Sequence, residues 1–396
     1  MEISKININL ITTNKVNFDS YELIVIGSGL FGLTIAQEFV TNLNLRVLVV
    51  DKRDHIGGNA WSEIDSDTGI EIHKYGSHLF HTSNQKVWEF VRKFSEFREY
   101  RHTVFANVKD ETHSLPINLS TLNSFFKQNF TPLEAARFFD SASQIMTDPK
   151  NFEEKVISKI GSELYEAFYL GYTKKQWGTD PKLLPIEMAS RLPIRTTRNN
   201  RYFRDRYEGL PAESYGKFLT KMGTSQNIDF LLSTDYQEVR ASIKPSTFIV
   251  YTGPIDQYFD YSNGRLGWRT LDFETSTLDM RDFQGTAVMN YPDIEVPFTR
   301  IHEYKHLGPE ESFHDSKTII SKEFSRFSDV RDEPFYPINT AADRLIFETY
   351  RSRAQQEPNV LFGGRLGTYK YLDMDMAIAS ALVAFHNKIL PRFSHV

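Results

Sequence analysis

The 396-residue chain contains no cysteine. Disulfides, thiolate metal sites and cysteine nucleophiles are therefore excluded. It has no apolar run near the ~20 residues that a bilayer-spanning helix needs. It lacks an excess of positive charge as well. Lys plus Arg number 46 against 51 Asp plus Glu, a formal net charge of −5, which does not point to a nucleic-acid binder. The opening stretch, MEISKININLITTNK, shows no clean basic segment, apolar core and small-residue cleavage site. It reads as a short extension before the first strand, and the protein reads as soluble and cytoplasmic. Internal repeats and low-complexity linkers are absent, and no Ser/His/Asp set or carboxylate pair stands out as catalytic. The length suffices for two or three domains and a large core.

What is present is concentrated in residues 21–51, which read as strand, tight turn, helix and strand. ELIVIG and LRVLVV are short apolar runs of the kind buried on both faces of a sheet. Between them lie Gly27, Gly29 and Gly32, a G-x-G-x-x-G. The first glycine permits the turn, the second lets the backbone approach a pyrophosphate, and the third lets helix and strand pack closely. The helix that follows offers its free N–H groups and positive end to phosphate. Asp51 closes the second strand, roughly 20 residues past the glycines, where an acid can accept from a ribose hydroxyl. A glycine-rich turn in an ordinary α/β protein is the competing reading of the glycines alone. Just beyond the acid, DKRDHIGGN adds Gly57 and Gly58. That extension resembles the flavoproteins that include amine oxidases and glutathione-reductase-like enzymes, and it favours FAD over the shorter NAD. Gly27, Gly29, Leu30, Phe31, Gly32, Asp51, Lys52, Gly58 and Asn59 are the expected cofactor contacts of this half.

Further along, Thr82 or Ser83 is a candidate cap for a helix starting near Asn84. His78 and His81 lie three apart, but no third ligand cluster has convincing spacing, so no metal is expected. Residues 75–78 are expected to line the cofactor. A hairpin is expected around Lys109-Asp110-Glu111. Helical spacing follows over 121–129, 131–143 and 152–172, with Thr131, Pro132 and Glu134 forming a capping box and a first-turn proline. Residues 174–209 collect Lys174, Lys175, Arg191, Arg195, Arg198, Arg201, Arg204 and Arg206 with Trp177, Tyr202 and Tyr207, interrupted by Gly178, Pro181, Pro185 and Pro193. This is either a solvated charged face or a mobile lid over an anionic substrate. STFIVYTGP reads as another buried strand, residues 265–304 as an antiparallel sheet, and 339–355 as a helix. A second strand–glycine–helix junction, GGRLGTYKYLDMD, closes the pattern with Gly363, Gly364, Gly367, Arg365, Tyr371 and Asp373 ahead of a helix from about Met374. Asp373 is there either a plain helix cap or part of the site.

The stretches GSGLFG, DKRDHIGGN, KYGSHLFHTSN, LGYTKKQWG, RLPIR, RYF, FTRIHEYKH, PFYPI and GGRLGTYKYLDMD, in this order along nearly the whole chain, resemble the bacterial UDP-galactopyranose mutase family. The resemblance implies an α/β fold: a discontinuous FAD-binding Rossmann-like domain with an inserted helical domain and an antiparallel β-sheet domain. The boundaries expected are 19–90, 228–262 and 355–396 for FAD, 91–190 for the helices and the start of the lid, and 191–227 with 263–354 for the substrate sheet.

It also implies interconversion of UDP-galactopyranose and UDP-galactofuranose without net redox change, with N5 of reduced FAD attacking the anomeric carbon. By resemblance, Arg191 and Arg300 bind the diphosphate, with a structural ion pair as the alternative for Arg300. Arg195 and Tyr202 join them. Tyr336 and Tyr371 donate hydroxyls to phosphate. Trp177 covers the sugar, and Tyr172 stacks on uracil with Phe168 and Tyr169 nearby. Arg365 and Asp373 lie close to flavin and substrate, Tyr371 and Met374 also border the flavin, and His78, Leu79 and His81 belong to a loop beside it. Arg191, Arg300, His81 and Arg365 are the expected catalytic set. A homodimer, and an electron donor that reduces the flavin, are implied in the same way. Three other readings compete: a sister mutase acting on UDP-N-acetylgalactosamine or dTDP-fucose, an amine-oxidase-like oxidoreductase sharing only the FAD domain, and a non-enzymatic binding module.

Overall fold

The computed structural model describes residues 8–191, 193–309 and 316–394, and the side chains of residues 145, 190 and 191 also lie outside the described set. Its centre is a parallel sheet of six strands in the order Asn9–Leu10, Ile228–Leu231, Val47–Val50, Leu23–Ile26, Phe248–Tyr251 and Val360–Phe362. Leu23, Val25, Val47 and Val49 point into one apolar cluster with Leu33 and Phe39 of the helix Leu30–Leu43. Ile24, Ile26, Leu48 and Val50 point into a second, with Tyr251, Tyr258 and Tyr350. Covering on both faces is why these strands are continuous apolar runs rather than alternating ones. Burying each such side chain contributes about 1.5–3 kcal/mol. The chain before Tyr21 differs from expectation. Asn9–Leu10 is itself a strand of this sheet, pairing with Asp229 and Phe230.

The second sheet has seven strands, in the order Tyr336–Pro337, Trp268–Leu278, Thr318–Phe327, Arg300–Glu303, Val288–Asn290, Val104–Val108 and Glu111–Leu115. All its pairings are antiparallel except that of Val288–Asn290 with Val104–Val108. The expected hairpin is present. Lys109 (φ 49°) and Asp110 (φ 64°) form its turn, the positive φ pair of a two-residue type I′ connection. The hairpin belongs to this seven-stranded sheet rather than standing with the helices that follow it. A small third sheet joins Phe80–Thr82, Tyr207–Pro211 and Phe97–Glu99.

Between hairpin and lid lie helices Leu119–Phe126, Pro132–Ile145 and Phe152–Ile160. Thr131 and Glu134 form the anticipated reciprocal cap. The single helix expected over 152–172 is broken. Gly161, at φ 83°, ends the first part, and the chain resumes as Ser162–Tyr165, a wide turn over Glu166–Leu170, and Gly171–Trp177. The cap near residue 84 is also corrected. Asn84 Oδ1 accepts from the Lys86 and Val87 N–H groups, while Thr82 lies in a strand and donates to Asp375 at 2.9 Å. No described helix is long and apolar enough to cross a membrane.

Candidate functional site

A long cleft runs along the C-terminal ends of the strands Leu23–Ile26, Val47–Val50 and Phe248–Tyr251. This is the expected place for a ligand on an open parallel sheet. Gly27 (φ 97°) has no room for a side chain, since a Cβ would meet Thr252 Oγ1 at 2.1 Å. At Gly32 a Cβ would meet the Gly27 carbonyl oxygen at 2.0 Å, so this glycine seats the helix on the turn rather than lining the cleft. Gly29 differs from both. A Cβ there would meet no protein atom within 4 Å, and the open space lies at the start of the helix Leu30–Leu43. The Gly57-Gly58 loop leans on this turn, with Gly57 N–H donating to Ser28 O at 2.8 Å.

Asp51 is buried at the end of its strand. Its Oδ2 accepts from Ser28 N–H at 2.7 Å and Ser28 Oγ at 2.6 Å, and its Oδ1 accepts from Arg53 N–H at 2.9 Å. The acid therefore ties the glycine turn to the loop after the second strand while its face borders the cleft. Lys52 and Arg53 both pair with Glu333, at 2.8 and 3.0 Å, and Arg53 also donates to Asn59 Oδ1 at 2.7 Å.

Leu30, Phe31, Gly58, His78, Arg365, Asp373 and Met374 complete the lining on the other side. His78 Nδ1 is buried without a partner, and burial first, then the neighbouring His73, pushes its pKa down to about 3. A neutral imidazole thus borders the cleft, with its Nδ1 shielded from it.

Past Arg365 the cleft meets a group of aromatic and cationic side chains. The Arg365 guanidinium lies 5.6 Å from the Tyr336 ring and 5.3 Å from the Tyr371 ring. Those two rings stack at 5.7 Å, and Trp177 lies 6.2 Å from Tyr336. Arg365 is held by the carbonyls of Phe335 and Leu372, at 3.2 and 2.6 Å. Arg300, at the start of its strand, donates from Nη2 to the Tyr172 hydroxyl, and its Nε lies 3.2 Å from Glu323 Oε1. Burial works against the Arg300 charge, but Glu323 outweighs it and raises the pKa above the usual guanidinium value. Burial likewise raises the Tyr172, Tyr202 and Tyr336 hydroxyls, with Arg300 pulling each the other way. They are protonated donors at neutral pH.

Glu323 passes the network on. Its Oε2 accepts from His302 Nε2 at 2.9 Å, which leaves His302 Nδ1 to accept from Ser77 Oγ at 2.7 Å. An ion pair followed by two hydrogen bonds thus joins Arg300 to the loop that carries His78.

Residues 167–371 match the protein family described as UDP-galactopyranose mutase, and residues 25–94 match the NAD(P)-binding Rossmann-like domain. A protein named "Probable UDP-galactopyranose mutase" from Klebsiella pneumoniae is 41% identical, over 91% of this chain and 92% of its own length. A dTDP-fucopyranose mutase of Escherichia coli is 39% identical over 91% of this chain and 96% of its own. The chain belongs to the UDP-galactopyranose mutase family. It is an isomerase. Among solved structures, a reduced UDP-galactopyranose mutase superposes with a TM-score of 0.68 at 15% identity, covering 92% of this chain and 93% of that one. A redesigned putrescine oxidase does so at 0.57 and 11%, covering 94% and 99%, which shows a shared flavoenzyme fold and no more. Membership in the mutase family removes the amine-oxidase reading and that of a binding module.

FAD is the cofactor of the family, and the cleft fits it. The open space over Gly29 gives phosphate a place at a helix N-terminus. Asp51 and Arg53 border the stretch where a ribose would lie, and His78 lines the cleft with Arg365 and Asp373.

Not every residue singled out from the sequence faces this family member's cleft. Phe168 is buried in the helical core, edge-on to His113 and Phe125 at 5.4 Å each. Tyr169 and Leu79 are partly buried and pack on the main core. His81 stacks on Phe203 at 3.6 Å and binds Asp205 at 2.8 Å, away from the cleft. Tyr202 differs from these: its N–H donates to His102 O at 2.8 Å, while its buried hydroxyl feels the charges of Arg300 and Asp373. Arg195 donates to backbone carbonyls, from N–H to Ile117 O at 3.0 Å and from Nη1 to Asn199 O at 3.1 Å. Arg201 is salt-bridged to Glu208 at 2.6 Å. The Arg191 side chain lies outside the described residues.

The sequence reading missed Arg53 and Glu333, and took Lys175 only as one charge of the stretch 174–209. Arg53 sits one residue past a chosen position and was within reach of the motif. Glu333 carries no local signal at all.

Proposed function

We propose that this chain interconverts UDP-galactopyranose and UDP-galactofuranose. The observation that carries the reading is the placing of Arg300, Tyr172, Trp177, Tyr336 and Tyr371 around the open end of the FAD cleft, in a chain of this family. Reduced FAD, when bound, supplies N5 as a nucleophile toward the anomeric carbon, with no net redox change.

The chain's own residues bind and hold the rest. A diphosphate that departs and must return needs charge that neither titrates nor drifts, and arginine provides it. Arg300, fixed by Glu323, is the central grip. Arg191 joins it from the segment Ile186–Arg191. Tyr336 and Tyr371 donate hydroxyls to phosphate oxygens, and Tyr172 with Trp177 frames the nucleotide sugar. Arg365, beside the stacked rings of Tyr336 and Tyr371, places a third positive charge where flavin and substrate meet. Asp373 adds an acceptor there. Of residues 174–209, those beyond the helix Gly171–Trp177 serve as the lid. The three-domain division given above, a homodimer, a cytoplasmic location and an outside electron donor to the flavin belong to the same reading.

The dTDP-fucopyranose mutase among the relatives favours one second reading, a dTDP-linked 6-deoxy sugar as substrate. The test is side-by-side turnover of UDP-galactofuranose, UDP-N-acetylgalactosamine and dTDP-fucopyranose by dithionite-reduced protein, with products resolved by chromatography. Fastest conversion of the UDP-galactose pair is expected. Faster conversion of the dTDP sugar would replace the reading with the second, and no conversion of any would overturn both.

A further inference from the structure

Lys175 lies on the helix Gly171–Trp177. Its ammonium donates to four backbone carbonyls: Tyr291 at 2.6 Å, Asp293 and Val296 at 2.8 Å, and Phe298 at 2.9 Å. An ammonium has three N–H groups, so four oxygens converge on fewer donors. Such an all-carbonyl cage is the surrounding of a small monovalent cation, here tethered to the chain. Without a cation, four half-buried carbonyl dipoles would face one another, and only Asp293 O, which also accepts from Val296 N–H at 3.2 Å, would keep a partner.

The two parts joined by this cage matter. The caged loop, residues 291–298, connects the strand Val288–Asn290 to the strand Arg300–Glu303 and ends just before Arg300. The helix carries Tyr172, whose hydroxyl meets Arg300, and Trp177, which neighbours Tyr336. The loop also touches the helix's first turn, where a Cβ on Gly171 would meet Pro292 O at 2.2 Å. At the helix's other end, buried Arg269 donates to the carbonyls of Gln176 at 3.0 Å and Lys175 at 3.2 Å. Arg269 thus anchors the helix end, while Lys175 binds the helix to the loop entering Arg300.

We propose that Lys175 is a positioning residue for the nucleotide sugar: its ammonium fills a four-carbonyl cation site and so keeps Tyr172 and Arg300 in one arrangement. The inference rests on the placing of the diphosphate at Arg300 given above. A shift of about 1 Å between such groups is enough to weaken a preorganised site severely.

The experiment measures UDP binding by titration to the FAD-loaded protein and to Lys175→Ala, with flavin content as a check on folding. The variant is expected to keep its flavin and bind UDP about tenfold or more weakly. Potassium or methylammonium chloride at tens of millimolar is expected to restore much of the affinity. Tetramethylammonium chloride at equal ionic strength, too large for the cage, is expected not to. Affinity within about twofold of the parent overturns the proposal, as does a loss that all three salts leave alike. Where Lys175→Ala does not fold, Lys175→Gln, which keeps two N–H donors, takes its place. An intermediate affinity supports the cage, and affinity within about twofold of the parent refutes it. Failure of the parent itself to bind UDP sinks the substrate reading, and the inference with it, which is a result distinct from parent and variant binding UDP equally.

Discussion

Arg300 Nε and Glu323 Oε1 lie 3.2 Å apart, and the Glu323 side chain is almost wholly buried. The pair is therefore both a structural bond and a means of aiming a guanidinium at the cleft. Arg300→Ala is expected to lower turnover about 100-fold or more, since it removes a charge-assisted phosphate grip. It also leaves a buried carboxylate short of a partner, which costs about 3–5 kcal/mol. Arg300→Lys restores the charge and is expected to regain most of the stability but little of the rate, because one ammonium cannot bind phosphate as a fork. Turnover and thermal midpoint, measured together, separate the two effects. Near-parental rates in both variants would contradict the placing of the diphosphate.

Asp51→Ala removes two acceptors, one holding the glycine turn and one holding Arg53. Each charge-assisted bond is worth about 1.5–3 kcal/mol. FAD retention on dilution is expected to fall far more than UDP affinity in whatever fraction stays loaded. The opposite order would place the ribose elsewhere.

Gly32→Ala is expected to be recovered poorly and largely colourless. Its Cβ has only the Gly27 carbonyl to move into, and that atom belongs to the turn under the phosphates. Gly29→Ala meets no protein atom, so it is expected to fold and to lose FAD affinity alone. Yield and flavin absorbance of the two proteins check the contrast. Equal behaviour of the pair would count against phosphate lying over Gly29.

His73, His78 and His102 are buried and kept neutral, each with a pKa lowered by burial from 6.5 to about 3. The unfolded chain takes up protons below pH 6.5 that the fold refuses until about pH 3. Stability from these groups is thus fully present above pH 6.5 and is lost as pH falls below it. The limiting slope is about 1.4 kcal/mol per pH unit for each group. The urea midpoint is expected to drop between about pH 7 and about pH 5, and His102→Gln is expected to lessen the drop by at most about a third, since His55, His113 and His302 are lowered as well. An unchanged drop in that variant would mean that His102 is charged in the fold.

The nucleotide half of the fold was legible because its signals are local. Strand, three glycines, helix and acid fall within 31 residues, and Gly27, Gly32 and Asp51 each have a steric or hydrogen-bonding reason to be what they are. The second glycine junction was legible for the same cause.

What was not legible depends on distant partners. Arg53 meets Glu333 across 280 residues, and no spacing in the sequence announces that. Phe168 and Tyr172 share one helical periodicity, but the wide turn over Glu166–Leu170 rotates the chain between them, so Phe168 enters the core and Tyr172 reaches Arg300. Gly161 was passed over because the apolar spacing continues across it. In the charged stretch 174–209 neither reading anticipates the bonds that particular residues make. Lys175 and Arg201 are spent on structural bonds, while Trp177 stands beside Tyr336.

The two-residue strand Asn9–Leu10, with Ile11 N–H bonded to Phe230 O at 2.9 Å, acts as a cover strip over Ile228–Leu231. Cutting it away would leave a bare flank of hydrophobic ladder open to the same flank on another molecule, an invitation to fibrous clumping. A purification handle grafted close to that strip risks the same outcome, so poor behaviour in such a preparation would speak of a peeled margin and say nothing about the enzyme's chemistry.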